Sequence, residues 1–237
     1  AQAELGGLLL SRGDLLFPGG YHLQEFLLRN GLPLWRYKVG DTVIEKLVVL
    51  PHFQNSVYVH YRLVSGKEPI QLKLRPFMQF RSIHTELSPT QERPYEVHAV
   101  GGRYEVIKKE SETPPLRMFV HGEEPAFSLA GGYAFERYYQ TEEKRGYPAR
   151  GWAWNPGFFQ VVLSSGRPAT LIASTEPWAV ILALGPEEAI HEERERRQRL
   201  LFRAHPKARS GVGGELVLAA DQFIIMPSAR ISDATRA

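Results

Sequence analysis

From Leu34 to Arg81, apolar and polar residues alternate with a period of two, and short turn-forming clusters separate the runs. The segments "LWRYKV", "TVIEKLVVL", "SVYVHYRLV" and "IQLKLRPFMQF" are divided by Gly40-Asp41, by "PHFQN" and by "SGKEP". Successive side chains of a strand point to opposite faces, so this period suits half-buried strands and not helices, whose apolar positions recur every three or four residues. Four consecutive antiparallel strands follow. In the third, Val57, Val59, Tyr61 and Leu63 share one face and Tyr58, His60 and Arg62 the other. One face is expected to be core, the other wet or covered by a second layer.

The same pattern continues downstream. "YEVHAV" and "RYEVIKKE" flank Gly101-Gly102, where paired glycines permit the positive φ of a tight turn. "LRMFVHG" and "AFSLAGGYAFERYYQ" read as shorter strands, and "FFQVVLS" and "ATLIAS" as a hairpin through Gly166-Arg167-Pro168. Many short strands with tight links and no interposed helix predict a mainly β fold, a large antiparallel β-sandwich of the supersandwich type. Composition changes at Pro186. "PEEAIHEERERRQRLLFRAH" opens on proline and acids and closes on bases, as the helix dipole favours. Its Glu192/Arg196, Glu193/Arg197 and Glu195/Arg199 pairs have i, i+4 spacing, which suggests a solvated helix with a narrow apolar stripe through Ala189, Ile190, Leu200 and Leu201. The glycine-rich "SGVGG" reads as a break before a second, half-buried helix, "ELVLAADQFII", and the tail "MPSARISDATRA" has linker composition. The expected organisation is a sandwich domain over 1–185 and a helical extension over 186–237, with two C-terminal helices.

Composition narrows the function. The absence of cysteine excludes disulfides, thiolate nucleophiles, iron–sulfur clusters and cysteine zinc sites. The eight histidines fall in no ligand-spaced motif. No G-x-S-x-G setting or phosphate-cradling glycine loop occurs, so no cofactor is expected. No apolar run approaches the ~20 residues that span a bilayer, and no secretory layout opens the chain, which points to a cytoplasmic address and no membrane partner. The 29 basic and 26 acidic residues are interleaved along the chain, a poor match to a nucleic-acid groove.

The stretch from 132 to 163, "GYAFERYYQTEEKRGYPARGWAWNPGFFQVVL", concentrates aromatic rings among charges. Trp152 and Trp154, two apart, would point the same way in an extended segment. Such a pair can stack on the C–H face of a sugar or fill a gap between layers, and large aromatics are more often packed than exposed. Tyr138, Tyr139 and Arg150 lie close by in sequence, and Arg81 and His84 follow a strand end, where functional side chains often project. The candidate carbohydrate-binding set is therefore Trp152, Trp154, Tyr138, Tyr139, Arg81 and Arg150. Glu136, Glu142 and Glu143 could be imagined as a glycosidase acid/base pair, but loop glutamates commonly pair with neighbours such as Arg137 and Arg145, so no catalytic residue is assigned. A mutarotase-type epimerase would need a His and Glu pair on one concave face, with His60, His98 or His121 as the histidine.

Taken in order, "LWRYKVGDTVIEKLVVLPHFQNSVYVHYRL", "LRPFMQFRSIHTE", "FERYYQTEEKRGYPARGWAWNPGFFQVVL" and "GELVLAADQFII" resemble the N-terminal domain of bacterial and archaeal type glycogen debranching enzymes, the amylo-alpha-1,6-glucosidases. The resemblance spans roughly Phe17 to Ile225. It implies a β-sandwich ahead of an (α/α)6 catalytic barrel, in a protein that removes 1,6-linked glucosyl branches from glycogen or related α-glucans. The family's catalytic carboxylates lie in that barrel, beyond the "AADQF" segment present here as Ala219 to Phe223. The chain itself is thus expected to be non-catalytic, with an α-glucan and the barrel as partners; a free-standing glucan- or partner-binding protein is the alternative.

Overall fold

The structure, a computed structural model, describes residues 2–9, 15–81, 95–109 and 113–224. His84, Ile225 and the "MPSARISDATRA" tail fall outside them. The chain begins with a two-residue ladder, β1 (Leu8–Leu9) and β2 (Leu15–Leu16). Next come β3 (Leu23–Arg29), β4 (Leu32–Val39), β5 (Thr42–Val49), β6 (Ser56–Ser65), β7 (Ile70–Leu74), β8 (Tyr95–Val100), β9 (Arg103–Lys108) and β10 (Leu116–His121). Then follow β11 (Glu123–Tyr138), α1 (Gln140–Lys144), β12 (Arg150–Leu163), β13 (Ala169–Ser174), α2 (Trp178–Ile181), α3 (Pro186–Arg203) and α4 (Gly211–Asp221).

An antiparallel sheet of eight strands, ordered β3-β4-β5-β6-β13-β10-β9-β8, packs on a three-stranded antiparallel sheet, β11-β12-β7. The mainly β sandwich is as its alternation requires. The period-two runs place Leu63, Val106, Met118, Val120 and Ala169 of the large sheet against Leu72, Leu74, Phe159, Val161 and Leu163 of the small one. Each such large side chain removed from water is worth about 1.5–3 kcal/mol. The other face of the same strands carries Leu32, Leu34, Leu47, Val49, Tyr58 and Ile172, and these meet Ile181 of α2 and Ala189 and Ile190 of α3. The two faces of β6 separate as its alternation predicts, Tyr61 and Leu63 toward the second sheet and Tyr58 toward the helices.

Several local expectations are corrected. The fourth run, β7, does not continue the large sheet; it pairs with β12 in the small one. The link through Gly166 is no hairpin either, because β12 and β13 lie in opposite sheets. Alternation within a run fixes two faces but says nothing about which neighbour supplies the next ladder. β3 lies outside the predicted runs, although Asn30-Gly31, both with positive φ (53° and 70°), is a strong two-residue hairpin signal and joins β3 to β4. The run through Gly131-Gly132 is one strand as read, but β11 is not short: it extends over sixteen residues, and a shift in pairing between Leu129 and Tyr133 absorbs the extra residues.

The helical extension also differs from expectation. α3 begins at Pro186, and the Glu188 carboxylate accepts the Gly185 N–H at 2.8 Å, which caps its first turn. Its apolar stripe is buried on the sheet at Ala189 and Ile190 as expected, together with Pro186, but so is Glu193, whose i, i+4 pairing reads as a solvated position. Of the expected i, i+4 pairs, Glu193/Arg197 (2.7 Å) and Glu195/Arg199 (3.6 Å) form, while Arg196 turns to Glu193 (2.9 Å) and to Asp221 of α4 (2.7 Å). α4 starts inside the glycine-rich break. A Cβ on Gly213 would lie 2.9 Å from Ala208 Cα, so glycine is what lets this first turn approach the preceding segment.

Candidate functional site

The aromatic stretch forms the free end of the β11–β12 hairpin. Its ladder pairs Glu136 with Trp152, Arg137 with Gly151 and Tyr138 with Arg150, and the Tyr139 N–H donates to the Ala149 carbonyl at 2.8 Å to close the tip around α1. Directly paired residues in an antiparallel ladder share a face. Tyr138, Arg150, Glu136, Trp152 and Trp154 therefore line one side of the hairpin, and Arg137, Tyr139 and Ala153 the other. The Tyr138 hydroxyl donates to the Glu143 carboxylate on α1. That bond holds the phenol above its usual pKa, and the nearby Arg150 charge pulls weakly the other way. On the reverse side Arg137 sits 4.8 Å over the Phe77 ring.

The two tryptophans point the same way, yet their surroundings differ. Trp154 is only 7% exposed, packed on Tyr95 at 4.7 Å, and its backbone exchanges two hydrogen bonds with Met78. Trp152, one step nearer the tip, is half-buried, and its carbonyl accepts from Gln79 Nε2 at 2.8 Å. Two residues past Gln79, Arg81 is exposed, as is Arg150; Tyr138 and Tyr139 are half-buried. The structure thus brings Tyr138, Arg150 and Trp152 onto one face of the hairpin, with Arg150 exposed and the two rings half-buried, sets Trp154 behind them in the core, and puts Tyr139 on the opposite face.

Beyond Trp154 the inward parity of β12 changes, so that Phe159, Val161 and Leu163 face the core. The switch occurs at buried Asn155, Pro156 and Gly157. Asn155 Nδ2 donates to the Pro76 carbonyl (2.6 Å) and the Gly157 carbonyl (3.0 Å). A Cβ on Gly157 would overlap the Ser128 carbonyl oxygen, so no other residue fits there. Without this irregularity, a strand burying Phe159 would turn both tryptophans outward.

The glutamates of the tip are committed locally: Glu143 accepts from Tyr138, and Glu142 lies 3.8 Å from Arg145. The three histidines considered for epimerase chemistry do not converge. His60 on β6 and His98 on β8 stand four strand spacings apart, about 19 Å, with His121 on β10 between them. No cluster of three or more metal-ligating side chains occurs among the described residues. No helix among them is long and apolar enough to cross a membrane.

A second polar assembly, on the helix side of the large sheet, was not singled out by sequence reasoning. Glu45, 5% exposed, accepts from Arg36 (2.7 and 3.2 Å) and Arg62 (2.6 Å), and Arg36 also pairs with Glu25. Part of its signal was available, because Arg36, Glu45 and Arg62 stand in three adjacent alternating runs, while Glu25 joins them from β3, outside those runs. Farther along, Glu105 accepts from Arg117 (2.8 Å) and from the Trp178 indole (2.6 Å).

An antiparallel two-sheet arrangement with an aromatic hairpin end places the chain in the class of β-sandwich domains. Residues 4–170 match the family described as glycogen debranching enzyme N terminal, and the chain belongs to that family. No curated protein matches it.

Proposed function

We propose that this N-terminal domain is non-catalytic, supports the catalytic (α/α)6 barrel of a debranching enzyme, and borders its α-glucan cleft with the end of the β11–β12 hairpin. In this reading residues 1–185 are the sandwich and residues 186–237 the extension that leads toward the barrel. The observation that carries the glucan contact is the shared face of Tyr138, Arg150 and Trp152. A half-buried indole offers a stacking surface, while a phenol and a guanidinium offer hydrogen bonds to sugar hydroxyls. Arg81 lies at the edge of this face, Tyr139 on the reverse of the tip, and Trp154 backs the wall from the core. Support for a docking role comes from α4 and the residues after it, where Val212, Leu216, Phe223 and Ile224 are exposed while Leu218 is buried.

Maltooligosaccharide titration followed by tryptophan fluorescence tests the glucan contact. A saturable change is expected, with affinity lowered about fivefold or more by Trp152→Phe, consistent with the ~1 kcal/mol scale of an aromatic contact, and little altered by Trp154→Phe. A parent protein that gives no saturable change overturns the reading for this domain.

A further inference from the structure

We propose that the seam between β6 and α3 is an oxyanion site, built by Arg29, Arg62 and Arg194, that takes a phosphate group. It lies on the helix side of the large sheet, independent of the hairpin.

The argument begins with helix phase. Ala189, Ile190 and Glu193 of α3 are buried on the sheet, and Arg194, one turn beyond Ile190, continues that stripe toward the polar row of β5 and β6. There it comes within electrostatic reach of Arg29, Arg62 and Glu45. Its neighbours along the helix are satisfied. Arg196 pairs with Glu193 and Asp221, while Arg197 pairs with Glu193 and reaches the Asn30 carbonyl at 3.5 Å. Arg194 is different: its Nε is buried with no hydrogen-bond acceptor among the described residues. Buried donors without partners are rare, because each costs the desolvation of a polar group.

Protein groups do not supply the missing acceptor. Glu45 is the carboxylate within reach of Arg194, and its two oxygens already accept from Arg36 and Arg62. Arg29, Arg36, Arg62 and Arg194 set four positive charges against the two of Glu25 and Glu45, leaving two uncompensated. Arg29 and Arg194 form no ion pair with a carboxylate of the described residues. The site is open, since Arg29 is exposed and the Arg62 side chain is 54% exposed. His60 borders it, with Nδ1 2.9 Å from Thr170 Oγ1. Burial first, then the charges of Arg29 and Arg62, hold the Arg194 pKa below its usual value. The attraction of an anion there would offset both penalties.

Guanidinium forks match the oxygens of a phosphate in geometry and charge, and a dianion would neutralise the surplus. Free phosphate and a phosphate monoester share that chemistry. Thermal unfolding and calorimetric titration of the full chain at pH 7 and fixed ionic strength would use inorganic phosphate in one arm and a phosphorylated hexose in the other. The melting temperature is expected to rise saturably with phosphate. Arg62→Gln and Arg194→Gln should each weaken binding about tenfold or more, and Arg194→Gln should not lower the melting temperature without phosphate, because it removes a repelled cation. Tighter binding of the hexose ester supports the site with a monoester as its ligand, and equal binding supports it with the free anion. A rise that never saturates, or one that both variants show as strongly as the parent protein, overturns the proposal. Should Arg194→Gln fail to fold, Arg62→Gln, at the exposed mouth, decides alone.

Discussion

The eight-stranded sheet has two faces made from the same strands, and they are stabilised by different physics. The face toward the small sheet is apolar and aromatic, with Phe159 wedged between Phe127 (4.6 Å) and Tyr104 (5.3 Å). The face toward the helices interleaves an apolar cluster with buried charges, Glu45 below Arg36 and Arg62, and Glu193, 3% exposed, between Arg196 and Arg197. Volume governs the first face, so it should respond to the size of a side chain and hardly to pH. Charge balance governs much of the second, where a single proton or a lost carboxylate is felt.

The largest test of that contrast is Phe159→Ala, expected to cost about 3–5 kcal/mol in urea unfolding, because a fully buried ring leaves a cavity that a two-sheet core cannot close. A loss under about 1 kcal/mol would mean that the sandwich face is not held by packing. Next comes Glu45→Gln, which keeps the size and removes the charge. It leaves Arg36 and Arg62 facing Arg194 with less compensation and should cost about 2–3 kcal/mol, discounted because both arginines are partly solvated. An unchanged midpoint would show that the network contributes nothing net.

The smallest effect sharpens the comparison through pH. Burial, then the charges of Arg194 and Arg62, lower the His60 pKa from 6.5 to about 4. Between those values the unfolded chain takes up a proton that the folded chain refuses, so stability falls as pH drops through that window. The groups facing His60 are Arg62 on its own strand, Thr170 on β13 and Arg194 on α3. In Glu45 and Glu193 burial is the largest single effect and raises the pKa, but the combined hydrogen bonds and charges of their arginines outweigh it and hold both below the usual carboxylate value, which adds a loss of the same sign at lower pH. Stability measured from pH 7 to pH 4 should therefore decline less in His60→Gln, and equal slopes would remove His60 from the account.

Much of the geometry of the hairpin end was legible in the sequence. The spacing of Trp152 and Trp154 correctly put both rings on one face, and the aromatic density marked the segment. What the sequence left open was which ring meets the core. That depends on Tyr95, which is far away in the chain and reaches Trp154 from the other sheet, and on the parity change at Gly157, which alternation alone does not reveal. The arginine seam escaped for a similar reason. An i, i+4 pattern on α3 reads as solvated when taken alone, and only the docking of Ala189 and Ile190 turns Glu193 and Arg194 inward.

By itself, the sequence determined most of the strands, their two-faced character, the start of α3 at Pro186 and the family resemblance, since these follow from local periodicity, turn chemistry and caps acting over a few residues. Tertiary structure alone decided that β7 leaves its neighbours for the small sheet, that Trp154 is core while Trp152 stands at the rim, and that Arg194 faces other arginines. Each of those outcomes depends on which distant surface buries a given face, and side-chain alternation is satisfied equally well by any apolar partner.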